Sequence, residues 1–279
     1  MVKITVVIDN NVPAFSKLPL YGEHGLALLL ENGKEQYLFD SGQTGAAVYN
    51  LGLLGINPNC LTALVISHGH YDHTGGLAAV LTHTRKRIPV YAHKEIFMER
   101  YSVSHGGRRF IGVPFKQDYL TSLGADFNFI TTEVQLTDDL WISGQIPRDT
   151  VYEQGDKNLV TLTSSDDYCQ DMIVDDMAMY YVSPKGLVVI SGCAHSGIIN
   201  VIKRGMQITG VSRLYGLIGG THLGPVGRNQ QENTIQQLKK MDPEIVATGH
   251  CTGFAMMARL QQTFGEKFIP AFSGVSIEF

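Results

Sequence analysis

The sequence predicts a layered α/β protein, and three observations carry that prediction. Short apolar, β-branched runs alternate with amphipathic stretches along the chain. The strand-like runs fall into two groups, one in each half. No Pro/Ser-rich or low-complexity linker separates them, so a single domain over residues 1–279 is expected. An apolar content of 44% is enough to bury a large core without disulfides.

Taken in order, KITVVI, LALLLE, EQYLF, ALVIS and IPVYAH are strands by length and β-branched content. TGAAVYNLGLLG and GGLAAVLTHT, lying among them, read as helices. From 97 to 171 the pattern is irregular, which predicts an insertion serving as a lid or substrate loop. The second half resumes with MAMYYVS, LVVIS, RLYGLIG and EIVATG as strands. GIINVIKRGM, NQQENTIQQLKKM and TGFAMMARLQQTFG are its amphipathic helices. Met256, Met257 and Leu260 lie at helical spacing and are expected in the core.

A net charge of −4 with 17% charged residues offers no basic stripe for nucleic acid. The four cysteines, Cys60, Cys169, Cys193 and Cys251, are widely spaced and form no C-x-x-C pair, which excludes a disulfide framework. The opening MVKITVVIDNN meets Asp9 too early for a signal peptide, and no apolar run is long enough to span a bilayer. A cytoplasmic protein with neither membrane nor nucleic-acid partners is expected.

Chemistry concentrates in ALVISHGHYDHTGGL, where His68, His70, Asp72 and His73 directly follow an apolar strand. Residues two apart on extended backbone share a side, so His68 and His70 can meet one ion. Asp72 and His73 lie at the turn into a helix, where they can face a second. Three later strands also run into histidines, at His195, His222 and His250. Ligands in α/β folds gather at the carboxyl ends of strands, so these histidines are candidates to join the cluster. Clustered imidazoles and a carboxylate suit zinc, with manganese, iron or nickel as alternatives.

Other residues are weaker candidates. Glu23 and His24 can line a pocket mouth. His105, Arg108 and Arg109, in SHGGRRF, can grip a substrate phosphate. Asp166, Asp167 and Asp171 read as solvated or capping. Asp175 and Asp176 can steady metal-bound imidazoles from behind. Cys193 and Cys251 adjoin the histidine loops and read first as small buried residues, with thiolate ligation as the alternative.

HGHYDHTGG matches the H-x-H-x-D-H signature of the metallo-β-lactamase superfamily, which this sequence resembles over most of its length. The resemblance implies an αββα four-layer sandwich with metals at one edge. It implies His68, His70 and His195 around one metal, with Asp72, His73 and His250 facing the other. Asp72 and His73 are thereby the residues closest to the reaction. In YLFDSG, Asp40 resembles the family's supporting aspartate. EHGLALLLE, GLVVISGCAHSGIINVI and GGTHLG resemble the dihydropterin–ribofuranosylaminobenzene-phosphate synthase-like branch.

The resemblance implies a metal-dependent transferase acting on a phosphorylated or diphosphorylated small molecule. A hydrolase of a phosphoester, ester or lactone is the alternative, and a non-enzymatic ligand-binding module a further one. One departure stands out. Where most dinuclear members carry a bridging aspartate, this chain has GGTHLG, and His222 is the candidate ligand. A neutral imidazole cannot offset two cations, so the site should favour an anionic substrate and fill completely only with an anion bound.

Overall fold

The computed structural model describes residues 2–162 and 167–279. Among the described residues there are two seven-stranded sheets and a third of four strands. The first sheet runs Ser276–Glu278, Val2–Ile8, Ala27–Asn32, Glu35–Phe39, Ala63–Val65, Ile88–His93, Ala125–Ile130. The second runs Phe268–Pro270, Ile245–Thr248, Leu214–Gly219, Gly186–Ser191, Ala178–Ser183, Leu140–Ile142, Val134–Gln135.

Period-2 alternation makes both sheets two-faced. Val2, Ile4, Val6, Leu28, Leu30, Phe39 and Val65 face the second sheet, where they meet Met179, Tyr181, Val188, Ile190 and Ile218. The opposite face, with Ala27, Leu29, Leu38 and Leu64, packs on Ala47 and Leu51 of helix Ala46–Leu53 and Val80 and Leu81 of helix Leu77–Thr84. On the far side, Tyr180, Val189, Leu217 and Val246 pack on helices Ile198–Thr209, Arg228–Met241 and Phe254–Phe264. Met256, Met257 and Leu260 lie in that layer. The result is helix, sheet, sheet, helix: the αββα sandwich.

Strand direction positions the site. Glu35–Phe39, Ala63–Val65 and Ile88–His93 are parallel neighbours. So are Gly186–Ser191, Leu214–Gly219 and Ile245–Thr248. Parallel strands end at the same edge, so the loops holding Asp40, His68, His195, His222 and His250 all leave the sheets together.

The stretch 97–171 carries more regular structure than its sequence pattern suggests. Ala125–Ile130 extends the first sheet, and Val134–Gln135 and Leu140–Ile142 finish the second. Hairpin Arg100–Ser104/Gly107–Phe110 pairs with Leu159–Leu162 and Tyr168–Gln170 in the small third sheet. Strands of two to six residues with polar positions give too short a periodic signal to read. Asp166 lies outside the described residues. Among the described residues no helix is long and apolar enough to cross a membrane.

Candidate metal centre

The loop after strand Ala63–Val65 builds half the site. Asp40, in the left-handed region at φ 61°, accepts from Ser67 N at 2.7 Å, from Ser67 Oγ at 2.7 Å and from His73 Nδ1 at 2.7 Å. Ser67 Oγ has one proton and gives it to Asp40, so it accepts from His68 Nδ1 at 2.9 Å. That leaves His68 Nε2 as a lone pair, 2.9 Å from His70 Nδ1. Gly69 has to be glycine, because a Cβ there would collide with Ile96 O and Arg100 Nη1. Its N–H donates to Asp175 Oδ2 at 2.8 Å.

The other half comes from the second sheet. Ala194, His222 and His250 adopt φ of 58°, 48° and 48°, so each strand end turns sharply through the left-handed region. Asp176 Oδ2 accepts from Ser196 N at 2.7 Å, and Arg148 Nη1 donates to His195 O at 2.9 Å. His250 is clamped twice: Asp9 Oδ2 accepts from its N at 2.6 Å, and Asn10 Oδ1 accepts from its Nδ1 at 2.9 Å. Its Nε2 therefore faces inward.

Two ligand sets result. One ligand atom each of His68, His70 and His195 lies within 4.8 Å of the others, as do those of Asp72, His73 and His250. In the second set His73 Nε2 is 3.2 Å from His250 Nε2, while Asp72 Oδ2 lies 3.9 Å from the first and 3.5 Å from the second. Ligands about 2.0–2.2 Å from a tetrahedral zinc are themselves about 3.3 Å apart, so these spacings fit a shared ion. His195 Nε2 is buried with no hydrogen-bond partner. Burial, reinforced by neighbouring positive groups, pushes His68, His70, His195 and His250 well below their usual range, so their lone pairs are free. Burial opposes charge on His73 too, but Asp40 and Asp72 raise it to about 9. The donor set fits one or two divalent ions.

The remaining candidates are placed as follows. His222 lies beside the first set, its ring centroid 4.1 Å from that of His195, with both ring nitrogens buried and without a hydrogen-bond partner. Arg109 and His24 line the pocket with Tyr71, Asp72, His195 and His250. Arg109 also covers the Tyr71 ring at 5.0 Å. Arg108 instead stacks on Tyr168 at 3.9 Å, and His105 is exposed at the hairpin turn, so neither lines the pocket. Glu23 ties down Gln43 N and Thr44 N at 3.0 and 3.1 Å. Asp167 is exposed.

One expectation changes, for Asp175 and Asp176, and two others are sharpened. Of the two readings of Asp171, solvated or capping, the second holds: it is buried, its Oδ1 caps Ile173 N, and its Oδ2 accepts from Arg100 Nε at 2.9 Å. Asp175 and Asp176 hold backbone N–H groups of the histidine loops, not imidazoles, because the strand they precede starts beneath those loops. Cys193 is buried but sits among the ligands, its Sγ 3.2 Å from His73 Nε2. Asp9, Asn10 and Arg100 escape a sequence reading, because they adjoin no motif and reach the site through partners distant in sequence.

This chain belongs to the metallo-β-lactamase superfamily. The superfamily profile matches residues 20–144. The chain is 30% identical over 272 residues to the 7,8-dihydropterin-6-methyl-4-(β-D-ribofuranosyl)-aminobenzene-5'-phosphate synthase of Methanocaldococcus jannaschii, spanning 94% of this chain and 92% of that protein. An uncharacterized protein of the same organism is 32% identical over 260 residues, spanning 93% and 94%. Among solved structures, a metal-dependent hydrolase of the β-lactamase superfamily superposes with a TM-score of 0.84 at 24% identity, covering 100% of this chain and 99% of that one. A diphosphatase of the PhnP family superposes at 0.57 with 13% identity, over 100% and 98%. At these identities the structural likenesses show the fold alone.

Proposed function

We propose that the protein is a metal-dependent enzyme acting on a phosphorylated or diphosphorylated small molecule, as a transferase, a reading supported by its likeness to the dihydropterin-related synthase. The observation that carries this reading is two buried ligand sets, of which only the second contains a carboxylate, opening on a pocket edged by Arg109. On this reading His68, His70 and His195 hold one ion, and Asp72, His73 and His250 the other. Divalent ions there supply charge that polarises a phosphoryl group and offsets a departing diphosphate. Arg109 offers a planar donor fork to a phosphate, and His24, with Nδ1 3.5 Å from Asp72 Oδ2, can exchange a proton at the pocket mouth.

The pocket at the ligands is small, about 140 Å³. A larger cavity of about 570 Å³, lined by Tyr152, Lys157, Asn158 and Gln230, lies next to it. Asp156 edges that cavity and lies 3.8 Å from His222 Nε2, which edges the smaller one. The phosphate fits the small pocket and the remaining bulk the larger.

The test supplies a dihydropterin diphosphate to metal-loaded protein, with and without a ribosylated aminobenzene phosphate. Coupled product only with both substrates supports transfer. Diphosphate release without the acceptor supports hydrolysis. No turnover of these or a broad panel of phosphoester, ester and lactone substrates, with metal verified, overturns the enzymatic reading.

A further inference from the structure

The strand Leu214–Gly219 leads to the position where a bridging carboxylate was expected, and His222 stands there. In space His222 does not lie between the two ligand sets. Its ring packs on His195, of the first set, and its N–H donates to Cys251 Sγ at 3.2 Å.

Cys193 does lie between them. Its Sγ is 3.2 Å from His73 Nε2. The same sulfur is within 4.8 Å of ligand nitrogens of His68 and His73, of His195 and His222, and of His250 and the Cys251 sulfur. It is therefore close to members of both ligand sets. Its backbone is arranged for this placement. Gly192 must lack a Cβ, which would collide with Ser67 Oγ, and Ala194 turns at φ 58°. The side chain is buried, 3% exposed, and beside it His195 Nε2 is buried without a partner. Cys251, by contrast, is spent on the His222 N–H and is only partly buried.

We propose that Cys193 Sγ is a ligand shared by both ions, a thiolate occupying the space that a bridging carboxylate would otherwise fill. Thiolates bind zinc strongly and carry the negative charge that an imidazole lacks. On binding, the S–H proton leaves to solvent and the sulfur lone pairs form the metal bonds. A shared thiolate also lowers the positive surplus, so both ions are held without a substrate anion. This inference rests on the metal-centre reading above.

The test loads metal-stripped protein with cobalt(II), without air and without phosphate, up to two equivalents. A near-ultraviolet sulfur-to-cobalt charge-transfer band is expected to grow across both equivalents. It should persist in Cys251→Ser and vanish in Cys193→Ser, while equilibrium dialysis still detects bound cobalt. Zinc X-ray absorption of the unmutated protein needs no variant: a sulfur shell at about 2.3 Å with one sulfur per zinc marks a bridge. Half a sulfur per zinc, or a band complete at one equivalent, overturns the bridge. Two bound ions with no sulfur signal overturn the ligand while leaving the metal centre standing. Failure to bind metal at all overturns both.

Discussion

The two ligand sets are held by different means. Around His73 and His250 support runs from side chain to ring: Asp40 takes His73 Nδ1 and Asn10 takes His250 Nδ1. Around His70 and His195 it is delivered to the backbone, through Asp175 to Gly69 N, Asp176 to Ser196 N and Arg148 to His195 O. The first set is three neutral imidazoles, of which His68 is held at its ring through Ser67; the second brings its own carboxylate and holds both its histidines at the ring. Disturbing what lies behind each set should therefore weaken them unequally, with Asp40 the one support that reaches both, through His73 and through Ser67 to His68.

The largest effect is expected from Arg100→Met. Arg100 is fully buried and pairs with Asp175 at 2.7 Å and Asp171 at 2.9 Å. Removing it strands two buried carboxylates, at a cost of about 3–5 kcal/mol. A lower urea midpoint checks this, and His68–His70 metal binding should weaken with it. Equal weakening of both sets would erase the distinction drawn above.

Asp40→Asn comes next, because one carboxylate serves Ser67 twice and His73 once. A mismatched buried amide costs about 3 kcal/mol. Metal affinity of the second set should fall about 10–100-fold by equilibrium dialysis. Unchanged affinity would show that Asp40 serves folding only.

The metal-free protein should also show a pH signature. His73 is raised from 6.5 to about 9, so the Asp40–His73 pair stabilises fully below pH 6.5 and its contribution is lost as pH rises through 9. Melting temperature should fall across that window, with a total effect of no more than roughly 3 kcal/mol. His73→Gln should flatten the slope; a slope that survives the substitution assigns it elsewhere.

Asn10→Ala should act most narrowly. It frees the His250 tautomer, so second-set affinity drops about tenfold or somewhat more. Folding stability should change by only about 1 kcal/mol, since the main loss is one partly buried acceptor. A larger loss of stability than of affinity would mean that Asn10 braces the Gly25 N–H rather than the ring.

Much of this was legible in the chain itself. Strands with β-branched period-2 runs and helices with apolar stripes are local signals, and they give the layered α/β class; the four-layer order came from the family resemblance. His68, His70, Asp72 and His73 are legible because one loop carries them, and spacing along a backbone needs no tertiary information. The short strands between 97 and 171 are not legible, since their partners are remote and their pattern is too brief.

The sequence by itself determined the layered α/β class, the crowded loop and the strand ends that run into histidine. Tertiary structure alone decided which distant groups meet them. Asp9 and Asn10 reach His250 across some 240 positions, and Arg100 meets Asp175 across 75. Only three-dimensional packing distinguishes His222, set to one side, from Cys193, set between. The reason is physical: periodicity records which face of an element is buried, whereas a polar contact depends on where two separate loops end up, and that is fixed by how the sheets pack.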